Sequence, residues 1–397
     1  MGQSNLPPAD QVEQVRAFTR NIEFNFVSWE FNAIWQKIDQ TAYGLSGYLN
    51  SSQQHQLVIS YLNLLDQTNQ LTSQITQMYS DPKVSDPDTA SAGLRQKVTQ
   101  NDTRLAQLAP FTETILQDQV ATVAAELGVA TGGETIPPVS YESTNPPLAL
   151  IISPRNVIQE VADISLLPNL TISQQNALEN EVSSKLNVSA LVVPVGGIGL
   201  YPTMVLYTTD MNWLAETVAH EWTHNFLTLH PLGASYDLSA ELRNINETVA
   251  TLSGREIGTE VIKQYYPELV PPPSTNNSTG QGSTSPPAFN FNAEMHLTRV
   301  TTDQLLAAGK ITEAENYMET RRQFFLAHGY QIRKLNQAYF AFYGAYNDVA
   351  GGGSGAAGTD PVGPAVAAMR AKSPTLGDFL NKVAWMTSLT QIEQAAK

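Results

Sequence analysis

The stretch that most constrains this chain runs from Thr208 to His230, TTDMNWLAETVAHEWTHNFLTLH. Leu214, Val218, Trp222, Phe226 and Leu229 recur at helical spacing, so a helix here carries one apolar stripe that must be buried. His220, Glu221 and His224 fall off that stripe, and Thr217 and Thr228 extend their face. Thr208, Thr209 and Asp210 offer an N-cap, and Pro231 closes the far end. Just before, Met204-Val205-Leu206-Tyr207 reads as a strand. The spacing therefore predicts a strand, a short turn and a half-buried helix that turns two histidines and a glutamate away from its packed side.

Those three residues form the pattern H-E-x-x-H, His220-Glu221-Trp222-Thr223-His224. Two histidines four apart on a helix stand one turn above the other, so both rings reach one metal ion. Glu221, beside the first, is placed to take a proton from metal-bound water. There are no cysteines, which leaves histidine and carboxylate as the strong zinc donors. A catalytic zinc takes three protein ligands and keeps a position open, so a third is required.

One candidate is Glu247, on a helix expected from about 237 to 265 with Leu242, Ile245, Val249, Leu252, Ile257 and Val261 in its apolar positions. Ala250, Thr251 and Gly254 share the face of Glu247, and small residues there let a second helix lie close to the first. H-E-x-x-H followed by N-E-x-x-A on a second helix resembles the gluzincin metallopeptidases, which include thermolysin-like enzymes and zinc aminopeptidases. It is most similar to bacterial groups of predicted aminopeptidases whose glutamate helix reads N-E-[ST]-x-A-x-x-x-G, here Asn246, Glu247, Thr248, Ala250 and Gly254. The resemblance spans residues 204 to 258. It implies His220, His224 and Glu247 as ligands of one Zn2+ and Glu221 as general base. Thermolysin-like enzymes place an aspartate four residues after the ligand glutamate to orient a zinc histidine. That position is Thr251 here, leaving Asp237 and Glu241 as candidates for the orienting carboxylate.

The other candidate third ligand is His230. With His220 and His224 it has the ligand spacing of the metzincin pattern H-E-x-x-H-x-x-G-x-x-H, but Leu227 stands where the turn-forming glycine belongs. Glu241 is a weaker choice, because a six-residue offset puts it on another helix face from Glu247.

The formal net charge is −15 and the pI about 4.8, with no basic cluster, which makes nucleic acid and anionic membrane surfaces poor partners. The partner expected is a peptide or protein substrate. No export signal or membrane span is visible, so membrane anchoring would need a segment that this sequence does not contain. Few Lys and Arg with abundant Ser, Thr, Asn and Gln fit an extracytoplasmic or cell-surface protein from whose start, Met1-Gly2-Gln3, a signal was trimmed.

The fold class expected is α+β and mainly helical: a gluzincin-like catalytic core with a small sheet beside the H-E-x-x-H helix, plus an N-terminal helical region. Residues 1–131 form that region, with apolar residues at helical spacing in three segments, and residues 132–397 the catalytic region. The joint is the Gly/Pro-rich run from Gly132-Gly133 to Pro146-Pro147. The aromatic cluster Phe24, Phe26, Trp29, Phe31 and Trp35 reads as core. Strands are expected at 148–153 and 190–195, with a helix from about Ser173 to Lys185 between them. Were the strand at 204–207 an edge, an extended peptide would pair with it. A low-complexity loop at 271–289 reads as mobile, a helical region runs from about 296 to 348, and two short helices close the chain.

Gluzincin catalysis also needs an electrophile to stabilise the oxyanion, commonly a tyrosine or histidine from a downstream helix. Tyr339, Tyr343 and Tyr346 share one helix face; Tyr339 and Tyr343 are the first candidates, and His328 an alternative. Together these residues predict a zinc-dependent peptidase. The alternative is a catalytically inactive zinc-binding or helical protein-interaction module, with the metzincin-type site using His230 as the other way to complete the metal set.

Overall fold

The computed structural model describes residues 11–30, 33–34, 37, 49–80, 85–130, 132–198, 200–236, 238–272, 289–343 and 362–397. The first part is helical: α1 (Gln11–Thr19), α2 (Ser51–Ser80) and α3 (Pro87–Glu126). Asp86 caps α3 by accepting from the Thr89 N–H at 3.1 Å, and Pro87 takes the first-turn position where its missing N–H costs nothing. The two long helices pack along one another.

The middle of the chain forms β1 (Tyr141–Thr144), β2 (Leu148–Pro154), β3 (Ala162–Leu166), α4 (Ile172–Leu186), β4 (Val188–Pro194), β5 (Gly197–Ile198) and β6 (Thr203–Leu206). These strands make two three-stranded sheets, ordered β3-β2-β4 and β1-β6-β5. The first is antiparallel and covered on both faces, which is why β2 and β4 read as nearly continuous apolar runs. Leu150, Ile152 and Ile164 pack against Val15, Leu178 and Val182 from α1 and α4. On the other face, Ala149, Ile151, Leu191 and Val193 pack against Ala338 and Phe342.

The functional region follows: α5 (Met211–Thr228), α6 (Pro231–Ala234), α7 (Ala240–Tyr265) and a 3-10 turn (Pro267–Leu269). Then come α8 (Phe291–Ala307), α9 (Ile311–Ala327), α10 (Gln337–Tyr343), α11 (Val362–Lys372), α12 (Leu376–Val383) and α13 (Leu389–Ala395). The chain is thus mainly helical with small sheets. The helical region expected over 296–348 is broken, with Gly309 (φ 73) and Gly329 (φ 89) in the left-handed conformation just past α8 and α9. Three closing helices stand where two were expected. Tyr346, most of the 271–289 loop, Phe31 and Trp35 lie outside the described residues.

The largest core joins distant parts of the chain. Val58 and Tyr61 from α2 and Leu116 and Val123 from α3 meet Leu214, Val218 and Trp222 from α5, Ile245 and Val249 from α7, and Phe379 and Leu380 from α12. The Gly/Pro-rich run at 132–147 therefore connects two parts of one core. Trp222 fixes this joint further by donating its indole N–H to the Pro137 carbonyl at 2.8 Å. None of the described helices is long and apolar enough to cross a membrane.

Candidate metal centre

Helix α5 begins where its capping chemistry dictates. The Asp210 carboxylate accepts from the Trp213 N–H at 3.1 Å, and Leu214, Val218, Trp222 and Phe226 are all buried, as the stripe predicts. Leu229 is the exception at 62% exposed, because α5 ends at Thr228. Helix α7, capped by Ser239, lies against α5 in the most extensive pairing among the described elements. The small residues of α7 permit it: a Cβ on Gly254 would stand 2.8 Å from the Glu216 carbonyl oxygen and from the His220 Cβ, and one on Gly258 2.7 Å from the Glu216 backbone.

This approach brings His220 and His224 of α5 to Glu247 of α7. Their Nε2 atoms are 3.1 Å apart, and Glu247 Oε2 lies 3.6 Å from the first and 3.4 Å from the second. A tetrahedral zinc with bonds of about 2.0–2.1 Å sets its ligand atoms ~3.3 Å apart. The three edges fit that spacing, and among the described residues His220, His224 and Glu247 are the group able to hold a metal ion. Glu247 Oε2 is buried without a hydrogen-bond partner, an orphaned acceptor aimed between the two rings.

The surroundings tune the set. Asn246 Oδ1 lies 2.7 Å from His224 Nδ1 and, as a carbonyl oxygen, accepts the Nδ1 proton, which leaves Nε2 as the nitrogen that faces Glu247. Burial by itself pushes the His224 pKa down, but the Glu247 and Glu221 carboxylates and the Asn246 contact outweigh it and raise it to about 9. Burial likewise works to raise Glu247, yet the two histidines hold its carboxyl well below the usual carboxylate range. Both shifts have one source, the mutual attraction of the buried imidazoles and the Glu247 carboxylate. Glu221 is pushed up by burial, drawn back by the two histidines, and raised again by Glu247.

The centre opens into a cavity of about 370 Å³. One wall carries the metal set, Glu221, Asn246 and Tyr236; the other comes from the β3-β2-β4 sheet and α10, with Ala149, Asp163, Val195 and Phe342. Strand β5 borders it at Gly197 and Ile198. A Cβ on Gly197 would lie 2.6 Å from Glu221 Oε1, so any larger residue there must displace the Glu221 side chain. Asn225 holds the β5–β6 loop to α5 by donating to the Leu200 carbonyl at 2.9 Å and to Thr203 Oγ1 at 3.0 Å.

Several expectations are corrected here. His230 stands apart from the metal set: its Nδ1 contacts the Phe226 carbonyl at 2.8 Å and its ring packs on Phe226 and Trp385, so α5 simply ends there and nothing swings the ring back. Glu241 accepts from the Leu389 N–H at 3.2 Å instead of orienting a histidine, and Asp237 lies outside the described residues. The orienting group is Asn246, inside the N-E-x-x-A pattern itself. Strand β6 is the centre of its sheet, flanked by parallel β1 and antiparallel β5, so the edge beside the cavity is β5.

Tyr339 and Tyr343 pack against each other with tilted rings, centroids 4.5 Å apart, but do not line the cavity. On α10 the sheet-facing positions are Ala338 and Phe342, and Phe342 is the residue that reaches the cavity wall. The phenol at the metal set is Tyr236, whose hydroxyl donates to Glu247 Oε1 at 2.5 Å. No periodic signal marks Tyr236, since it sits in an irregular turn between two helices. His328 stacks on Phe289 at a centroid distance of 4.2 Å, within the α8–α9 aromatic cluster.

No protein-family model, curated protein or solved structure matches the chain.

Proposed function

We propose that the protein is a zinc-dependent peptidase of gluzincin type, with a peptide or protein as substrate. The observation that carries this reading is the triangle of His220 Nε2, His224 Nε2 and Glu247 Oε2 beside the buried carboxylate of Glu221, at the floor of a cavity. Two imidazoles and one carboxylate suit zinc, and three protein donors leave one position for water or substrate. When bound, zinc would lower the pKa of a water and polarise the scissile carbonyl. Glu221 would take the proton of the attacking water and deliver it to the leaving amine, a role that a carboxylate raised by burial suits. Asn246 would hold the His224 tautomer, and Gly197 would let the substrate-bordering strand lie close over Glu221. An extended peptide would pair with the edge of β5 along the cavity.

The test is zinc per chain by elemental analysis under mild chelator competition, with digestion of a peptide library alongside. Glu247→Gln should lose zinc and His230→Gln should keep it, while Glu221→Gln should keep zinc and lose hydrolysis. Turnover by Glu221→Gln equal to wild type would remove Glu221 as the base. A fully zinc-loaded wild type that cleaves nothing in the library would favour the inactive binding module.

A further inference from the structure

Glu247 presents two oxygens in different circumstances. Oε2 faces the two histidine Nε2 atoms and has no hydrogen bond, while Oε1 accepts from the Tyr236 hydroxyl at 2.5 Å. Tyr236 is itself held on several sides. The Arg243 guanidinium lies 5.4 Å from its ring centroid and pairs with Glu160, and the His224 ring meets it edge-on at 6.2 Å. The turn that brings it there depends on Gly233, where a Cβ would stand 2.2 Å from the Leu227 carbonyl oxygen, so only glycine lets α6 fold back against the end of α5.

We infer that Tyr236 is a positioning residue that makes Glu247 a one-oxygen ligand. A carboxylate is free to bind a cation through one oxygen or two. A hydrogen bond of this length occupies one lone pair of Oε1 and draws its charge toward the phenol, which weakens Oε1 as a second donor to the ion. Glu247 then supplies one donor, the protein supplies three in all, and the fourth position stays open for water or substrate. Without the phenol, Oε1 is free to turn toward the ion and fill the position the chemistry needs. This rests on the zinc reading, and it assigns to the turn between the two metal helices the task of keeping the coordination number low.

The experiment is Tyr236→Phe, which keeps the ring against Arg243 and removes only the hydroxyl. Apo wild type and variant are first compared by thermal unfolding monitored by circular dichroism. Each is then titrated with zinc against a chromophoric chelator and loaded with Co2+ for its visible absorption spectrum. The expected result is an intact fold, zinc affinity changed by about 10-fold or more, and a weaker Co2+ ligand-field band as the site passes from four to five ligands. X-ray absorption at the zinc edge should show an added light-atom neighbour. Identical cobalt spectra and coordination numbers in both proteins would overturn the inference, and so would a variant whose loss of zinc tracks a loss of the apo fold in the unfolding comparison. If the wild type itself binds neither zinc nor Co2+, the zinc reading fails and this inference fails with it. Binding by wild type with an unchanged variant removes this inference alone.

Discussion

Gly254 of α7 lies directly against His220 of α5: a single added carbon would stand 2.8 Å from the His220 Cβ and 2.9 Å from its backbone nitrogen. Glu247, on the same helix as Gly254, reaches His220 and His224 only because this contact carries no side chain. Alanine in place of glycine gains about 1 kcal/mol of helix propensity, but overpacking a well-packed contact costs about 1–3 kcal/mol. Here the clash is with backbone, which cannot swing aside. Gly254→Val should therefore lower the midpoint of denaturant unfolding and also lower zinc per chain, because it forces α7 away. Full zinc content with only reduced stability would mean the two helices tolerate a wider spacing than direct coordination allows.

Gly197 makes the complementary prediction. Its missing Cβ makes room for Glu221 Oε1, and Glu221 is not a ligand in the proposed centre. Gly197→Ala should leave zinc binding within about 2-fold and reduce kcat/KM by about 100-fold or more, the scale of a displaced catalytic base. Loss of zinc in this variant would show that the strand supports the ligands as well.

Asn246 should be replaceable only by another acceptor. Asn246→Leu removes the partner of His224 Nδ1 and should weaken zinc by 10- to 100-fold. Asn246→Asp, which keeps an acceptor at that place, should bind as wild type or more tightly, and a competition titration reads both.

Asp163 should bias the substrate. It is the carboxylate that the β3-β2-β4 sheet contributes to the cavity wall. Peptides carrying lysine or arginine near the cleaved bond should be cut faster than their glutamate counterparts at low ionic strength, with the gap narrowing in salt. Asp163→Lys should reverse the order in the same assay; an unchanged preference would place the peptide elsewhere in the cavity.

Glu142 should make stability depend on pH. Burial first, and then the Glu113 carboxylate, push its pKa up to about 7, with Lys37 partly offsetting them, and its Oε2 is buried without a hydrogen bond. The folded state therefore binds more protons than the unfolded chain between the ordinary glutamate value of 4.5 and about 7. From this group, stability falls as pH rises through that window and is flat above it. Glu142→Gln should be more stable than wild type at pH 8 and should flatten the difference between pH 5 and 8 in urea unfolding. Equal slopes for the two proteins would show that the carboxylate stays solvated.

The metal set was legible in the sequence because each part of it is local. A four-residue spacing on one helix face puts His220 and His224 together, the stripe from Leu214 to Phe226 says which face is buried, and the small residues after Glu247 announce a close second helix. The cap at Asp210 and the helix from Ile172 to Leu186 were legible for the same reason. Strands β1 and β3 were not, being four or five residues long and held by their pairing with β6 and β2.

What only the tertiary structure decided is which distant groups meet at that set. Tyr236 faces Glu247 because a glycine turns α6 back on α5, whereas Tyr339 and Tyr343, four apart on their own helix, pack against each other and are not among the residues that line the cavity. Asp163 enters the cavity because β3 pairs with β2, and the N-terminal helices share the core of α5 and α7 because Tyr61 and Leu116 join Trp222 and Ile245 in one buried cluster. Periodicity along a chain reports which side of an element is buried; it holds no record of what is buried against it, because that contact is made between residues whose separation in sequence leaves no pattern.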